Sequence, residues 1–222
     1  MSGGDGKITV DYFSDVLCVW AWIAQPRLEE LQKQWGERIA LRHRFVDVFG
    51  DARQKITTKY GAEDGYQKFH QHIADAAAGF EAASIHADTW CVCRPCSSLP
   101  AHLVLKATEL VGSQAQLAAL ALATRRAFFA DGVDISDTER LLTLAQGCGI
   151  DRAALRDRLD DGSAMAALSS DQRMANSLGV KGSPTWVLNE GRQMLYGNVG
   201  YRILSANIEE LLTRGGGESS WC

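Results

Sequence analysis

The chain has 222 residues, 46% of them hydrophobic and 23% charged, with a formal net charge of −4. That describes one large domain, or one domain carrying an insertion, with enough apolar material to form a core without a disulfide scaffold. The mild acidity argues against nucleic acid as a partner, and no apolar run of about eighteen residues offers a membrane span. The first seven residues show no secretory pattern, so a cytoplasmic protein with mostly reduced thiols is expected.

Ile8 to Phe13 is β-rich, lies between Gly6 and Ser14-Asp15, and predicts a strand. Ala24, Leu28, Leu31 and Trp35 recur at helical spacing before Gly36. They predict a helix over residues 20–35, with Pro26 kinking it or marking its first turn. Ile39, Leu41, His43 and Phe45 alternate with Ala40, Arg42 and Arg44, a second strand in which His43 is a packed residue. From 62 to 178 strand signals vanish. Tyr66 to Phe80, Leu99 to Val111 and Leu117 to Phe128 each read as a helix. Ser136 with Glu139, Asp151, and Ser163 read as caps of three more, the last ending at Leu178-Gly179. Thr185 to Leu188 and Gln193 to Tyr196 read as strands around a turn, and Leu204, Ile208, Leu211 and Leu212 as a final helix. The organisation is therefore α/β and split. Residues 7–60 and 179–214 form one domain, 61–178 an all-helical insertion, and 215–222 a flexible tail.

Chemistry centres on six cysteines: Cys18, Cys91, Cys93, Cys96, Cys148 and Cys222. Cys18 stands between the first strand and the first helix, where free N–H groups and the helix dipole favour a thiolate. The alternative is a cysteine that only packs. Asp15 either tunes it or caps the helix, and Trp20 and Trp22 either line a groove or fill a core. Pro184 stands directly before a β-rich run, where it cannot donate to a sheet. A cis Ser183–Pro184 bond or an ordinary trans turn would each account for it. Three readings compete for Cys91, Cys93 and Cys96. They are ligands of zinc or of an iron–sulfur centre, with Cys18, His86 or His102 as the fourth; or thiols resolving a Cys18 disulfide; or small buried residues. His70 and His72 are two apart and cannot share a helix face as a ligand pair. Cys148 and Cys222 look incidental, although Cys222 on its Gly/Ser-rich tail is able to pair between molecules.

A strand, Asp15-x-x-Cys18 at a helix start, a long helical segment, then Leu178-Gly179-Val180-Lys181-Gly182-Ser183-Pro184-Thr185 and a hairpin resembles the DsbA family of thioredoxin-like proteins. Asp11-Tyr12-Phe13-Ser14-Asp15 and Ala101-His102 resemble its FrnE-type branch. The resemblance spans residues 7–213. It implies a thioredoxin-like fold whose βαβ and ββα halves flank a helical insertion. By position, Cys18 is the attacking cysteine and Pro184 a cis-proline facing it. Ser183, just before it, would offer backbone groups to a bound peptide or glutathione. Ala21 stands where the second cysteine of Cys-x-x-Cys would be, so Cys18 is a single primary nucleophile. Its mixed disulfide would need glutathione or another thiol, such as Cys91, Cys93 or Cys96, for release. The implied activity is thiol–disulfide exchange on protein or small-molecule partners. The rival branch, 2-hydroxychromene-2-carboxylate isomerases and kappa-class glutathione transferases, activates bound glutathione and is often dimeric, so a homodimer is an open expectation. That branch usually has serine at the attacking position, and Gly197 to Arg202 resembles its glutathione-contacting turn only loosely.

Overall fold

The computed structural model describes residues 7–213. β1 (Ile8–Ser14) is covered on both faces, and six of its seven residues are buried, as an interior strand requires. It leads through α1 (Val19–Ile23) and α2 (Gln25–Trp35) to β2 (Ile39–Phe45), which pairs parallel to it with Ser14 opposite Phe45. Between β2 and the next strand lie α3 (Ala52–Tyr60), α4 (Gly65–Ala77), α5 (Leu99–Val111), α6 (Gln114–Phe129), α7 (Thr138–Gly147), α8 (Arg152–Asp160) and α9 (Ser163–Leu178). β3 (Thr185–Leu188) then runs antiparallel to β1, and β4 (Gln193–Tyr196) antiparallel to β3. The sheet order is β2-β1-β3-β4, and α10 (Tyr201–Thr213) packs back on it.

The expected helix over 20–35 is two helices. Ala24 separates them, and Pro26 sits in the first turn of α2, where its missing N–H has no intrahelical partner to lose. α3 was not legible, because only Ala52 and Ile56 are buried along it; Asp51 caps it by accepting from the Gln54 N–H at 2.8 Å. α4 stops at Ala77, and Phe80 closes a turn onto the Ala77 carbonyl. Asp137, not Ser136, caps α7, because the Ser136 N–H and hydroxyl are both engaged by Asp134. Gly162, at φ 80°, stands at the cap of α9, and Ser163 is already inside the helix.

Three apolar clusters organise the packing. The largest joins the segment Val16 to Ile23 to the helices through Phe69, Trp90, Leu105, Phe128 and Leu142. A second lies between one sheet face and α2 and α10, around Tyr12, Leu28, Trp186 and Ile208. A third, on the other face, joins Phe13 and Val187 to Ala175 of α9. Beside it Asp171 accepts from the Phe45 N–H and Arg44 Nη1, both at 3.1 Å, and from Lys106 Nζ at 2.9 Å. Arg44 Nε also donates to Asp11 at 2.8 Å. This network ties α5 and α9 to β1 and β2. Among the described residues no helix is long and apolar enough to cross a membrane. The expected tail, 215–222 with Cys222, lies outside the described residues.

Candidate active site

β1 ends at Ser14, and the chain turns through Asp15, Val16 and Leu17 to Cys18, the N-cap of α1. The Cys18 N–H donates to the Asp15 carbonyl at 3.1 Å, and the Cys18 carbonyl accepts from Ala21 at 3.0 Å and Trp22 at 3.1 Å. The Ser183–Pro184 peptide bond is cis. Cys18 Sγ donates to the Ser183 carbonyl at 3.1 Å, and Ser183 Oγ accepts from the Asp15 N–H at 2.8 Å. Two segments 165 residues apart are thus locked face to face. Trp20 lies half-buried in the first turn of α1, and Ala21 is fully buried.

Cys18 is only 6% exposed. Burial pushes its thiol above the ordinary value, and the nearby Asp15 carboxyl adds to the rise. The hydrogen bond to Ser183 and the N–H groups of Ala21 and Trp20 oppose it. The helix start was expected to favour a thiolate; here α1 is a single short turn, and desolvation outweighs its dipole. At rest Cys18 is a thiol.

Asp15 is fully buried and accepts from the Leu17 N–H, the Phe49 N–H and the Ser98 hydroxyl, each at 2.8 Å. Burial raises its carboxyl to about 6 against those bonds. It therefore braces the Cys18 loop against two other segments and does not cap α1. His102, weighed as a metal ligand, is fully buried with Nε2 accepting from the Val16 N–H at 3.2 Å. Burial, assisted by Arg125, pulls its imidazole down to about 3, so it is a neutral acceptor that holds the same loop. Arg125 of α6 is fully buried and donates through Nη2 to Ser14 Oγ at 2.8 Å. The sequence reading missed Arg125 and Ser98. The available signal was a cation four residues after Ala121 and eight after Leu117, inside an apolar stripe.

The described cysteine loop shows no ready-made ligand set for the zinc or iron–sulfur centre weighed for Cys91, Cys93 and Cys96. Among the described residues no group of three or more His, Cys, Asp or Glu side chains is arranged to hold a metal. Cys93 is buried, Cys96 exposed and Cys91 between, so the thiols face different surroundings. Burial pushes Cys93 up to about 12, with Asp134 adding to it. His86, the other proposed ligand, accepts from the Asp88 N–H through Nδ1. Cys93 and Cys18 share one apolar cluster, but the charges facing them differ: Asp134, Arg140 and Asp88 for Cys93, Asp15 and Arg125 for Cys18.

The profile of the DSBA-like thioredoxin domain family matches residues 9–209. The cytosolic disulfide reductase DsbM from Pseudomonas aeruginosa superposes with a TM-score of 0.68 at 22% identity, over 90% of this chain and 98% of that one. A second DsbM structure, with GSH, superposes at 0.67. A 2-hydroxychromene-2-carboxylate isomerase gives 0.66 at 20% identity, over 96% of this chain and all of that one. At these identities the likeness is one of fold. The ClpXP adapter protein SpxH of Halalkalibacterium halodurans is 24% identical over 208 residues; the match covers 90% of this chain and 66% of that protein's length.

Proposed function

The chain belongs to the DSBA-like thioredoxin domain family, and on that premise we propose that it is a thiol–disulfide oxidoreductase with Cys18 as its single primary nucleophile. The observation that carries this is Cys18 Sγ held 3.1 Å from the Ser183 carbonyl, beside Pro184. A substrate disulfide lying along Ser183 and Pro184, against Trp20, would meet the sulfur there. Cys18 loses its proton and attacks one substrate sulfur; the S–S bond breaks, and the departing sulfur leaves as a thiolate that takes up a proton. Ala21 supplies no second thiol, so the mixed disulfide waits for another. In this reading glutathione supplies it. One glutathione thiolate displaces the substrate as a thiol, and a second frees Cys18 as oxidised glutathione forms. Cys93, buried and firmly protonated, is a poor resolving thiol by comparison. A cytoplasmic glutathione pool would drive the cycle towards reduction.

One observation favours a second reading. Cys18 rests as a thiol that donates a hydrogen bond. It would donate equally well to the sulfur of bound glutathione in a transferase or isomerase, and there serine would substitute for it. Cys18→Ser separates the two readings: it abolishes exchange in the first and leaves glutathione-dependent turnover in the second. The test is reduction of a glutathionylated peptide by wild type and Cys18→Ser. Loss in the variant supports the oxidoreductase; equal rates overturn it.

A further inference from the structure

Arg125 is a charged group that the proposed reaction does not yet use. Its side chain is fully buried, and among the described residues no carboxylate pairs with it. Nη2 donates to Ser14, while Nε and Nη1 have no hydrogen-bond partner among the described residues. A buried cation with two idle N–H groups is expensive unless a negative charge balances it. The groups that share its field are Tyr12, Cys18 and Asp15 from β1 and the loop after it, His43 from β2 and His102 from α5. Both histidines are neutral, and burial keeps the Tyr12 phenol protonated. Only Asp15 and Cys18 are left to supply the charge. Asp15, a carboxylate above about pH 6, supplies one negative charge, but its oxygens are taken by Leu17, Phe49 and Ser98 and leave Arg125 Nε and Nη1 without a hydrogen-bond partner among the described residues.

We infer that Arg125 is a positioning residue for Cys18: anchored under the loop by Ser14, its guanidinium supplies the buried positive charge that lets the Cys18 sulfur ionise. This deepens the proposed role of Cys18 as nucleophile. The helix dipole of a five-residue α1 is a weak source of that charge, and the fold replaces it with a fixed cation from α6. Proton loss from Cys18 then creates an anion in the field of a buried cation that keeps two N–H groups without a hydrogen-bond partner among the described residues. The charge passes on to the departing substrate sulfur when the new S–S bond forms.

The test is the pH profile of Cys18 alkylation and of thiolate absorbance in wild type, Arg125→Met and Arg125→Lys, with Cys18→Ser as the blank. Arg125→Met is expected to raise the Cys18 midpoint by about one unit, a roughly tenfold slower alkylation at pH 7. Arg125→Lys should restore most of the rate. A folded Arg125→Met with an unchanged midpoint overturns the inference. Should Arg125→Met fail to fold, the wild-type protein answers by NMR. The Arg125 Nε–H signal should move as Cys18 titrates and stay still in Cys18→Ser; a signal indifferent to Cys18 overturns it. A Cys18 midpoint that depends on Arg125 in a protein without exchange activity would sink the proposed function and leave this inference standing.

Discussion

Cys18 gathers most of the chemistry, and its neighbours explain why position alone was not enough to read it. The Asp15-x-x-Cys18 spacing and the Ser183-Pro184 pair were visible in the sequence, and the fold joins them through Ser183. The protonation state was not visible, since it depends on burial by residues from distant helices. Arg125 and Ser98 come from α6 and the start of α5, and no local pattern ties them to residue 15. Asp15 carries a testable consequence. Its folded carboxyl, raised to about 6, holds a proton that the unfolded chain releases near 3.8. This group's stabilising effect is therefore full below the lower value and is lost as pH rises through 6. Replacing Asp15 by Asn should flatten the stability–pH curve between those limits, as urea midpoints would show; an unchanged slope would contradict the buried-proton assignment. His43 has the opposite sign. Burial, with Arg125, pulls it from 6.5 to about 3, so its effect is full above 6.5 and is lost as pH falls. At pH 5 that amounts to about 2 kcal/mol. His43→Leu should regain about that much stability relative to wild type between pH 7.5 and pH 5.

At the scale of elements, alternation and helical spacing were sufficient where packing is simple. β2, β3, β4 and α5 run over the residues their patterns predicted; β4 alternates in burial, while β3 is buried at every position and α5 around most of its surface. α3 escaped notice because its exposed lysines and threonines leave only Ala52 and Ile56 to mark a face. The α7 cap moved by one residue because Asp134 competes for Ser136. The joint between α9 and β2 depends on Asp171, which no spacing rule could have matched with Arg44 and Lys106. Asp171→Ala leaves Lys106 buried without that partner and the Phe45 N–H unsatisfied. A loss of about 3–5 kcal/mol in unfolding free energy is expected. A loss below about 1 kcal/mol, the range of exposed pairs, would mean that the network is incidental.

Across the whole molecule, length now has an architectural reason. A four-stranded sheet occupies the two ends of the chain, and the seven helices between β2 and β3 bury the Cys18 loop from outside. The helical segment does more than cover the sheet, since it supplies Ser98, His102 and Arg125 to the loop. The cysteine count divides accordingly: Cys18 faces Ser183, while Cys91, Cys93 and Cys96 face separate surroundings on another loop. The central claim is that one sulfur performs the exchange. Mass spectrometry after brief incubation with oxidised glutathione, followed by rapid acid quenching, tests it directly. The account predicts a single glutathione adduct on Cys18, absent in Cys18→Ser and removed by excess reduced glutathione. An adduct that persists undiminished in Cys18→Ser, or that forms instead within residues 91–96, would contradict it.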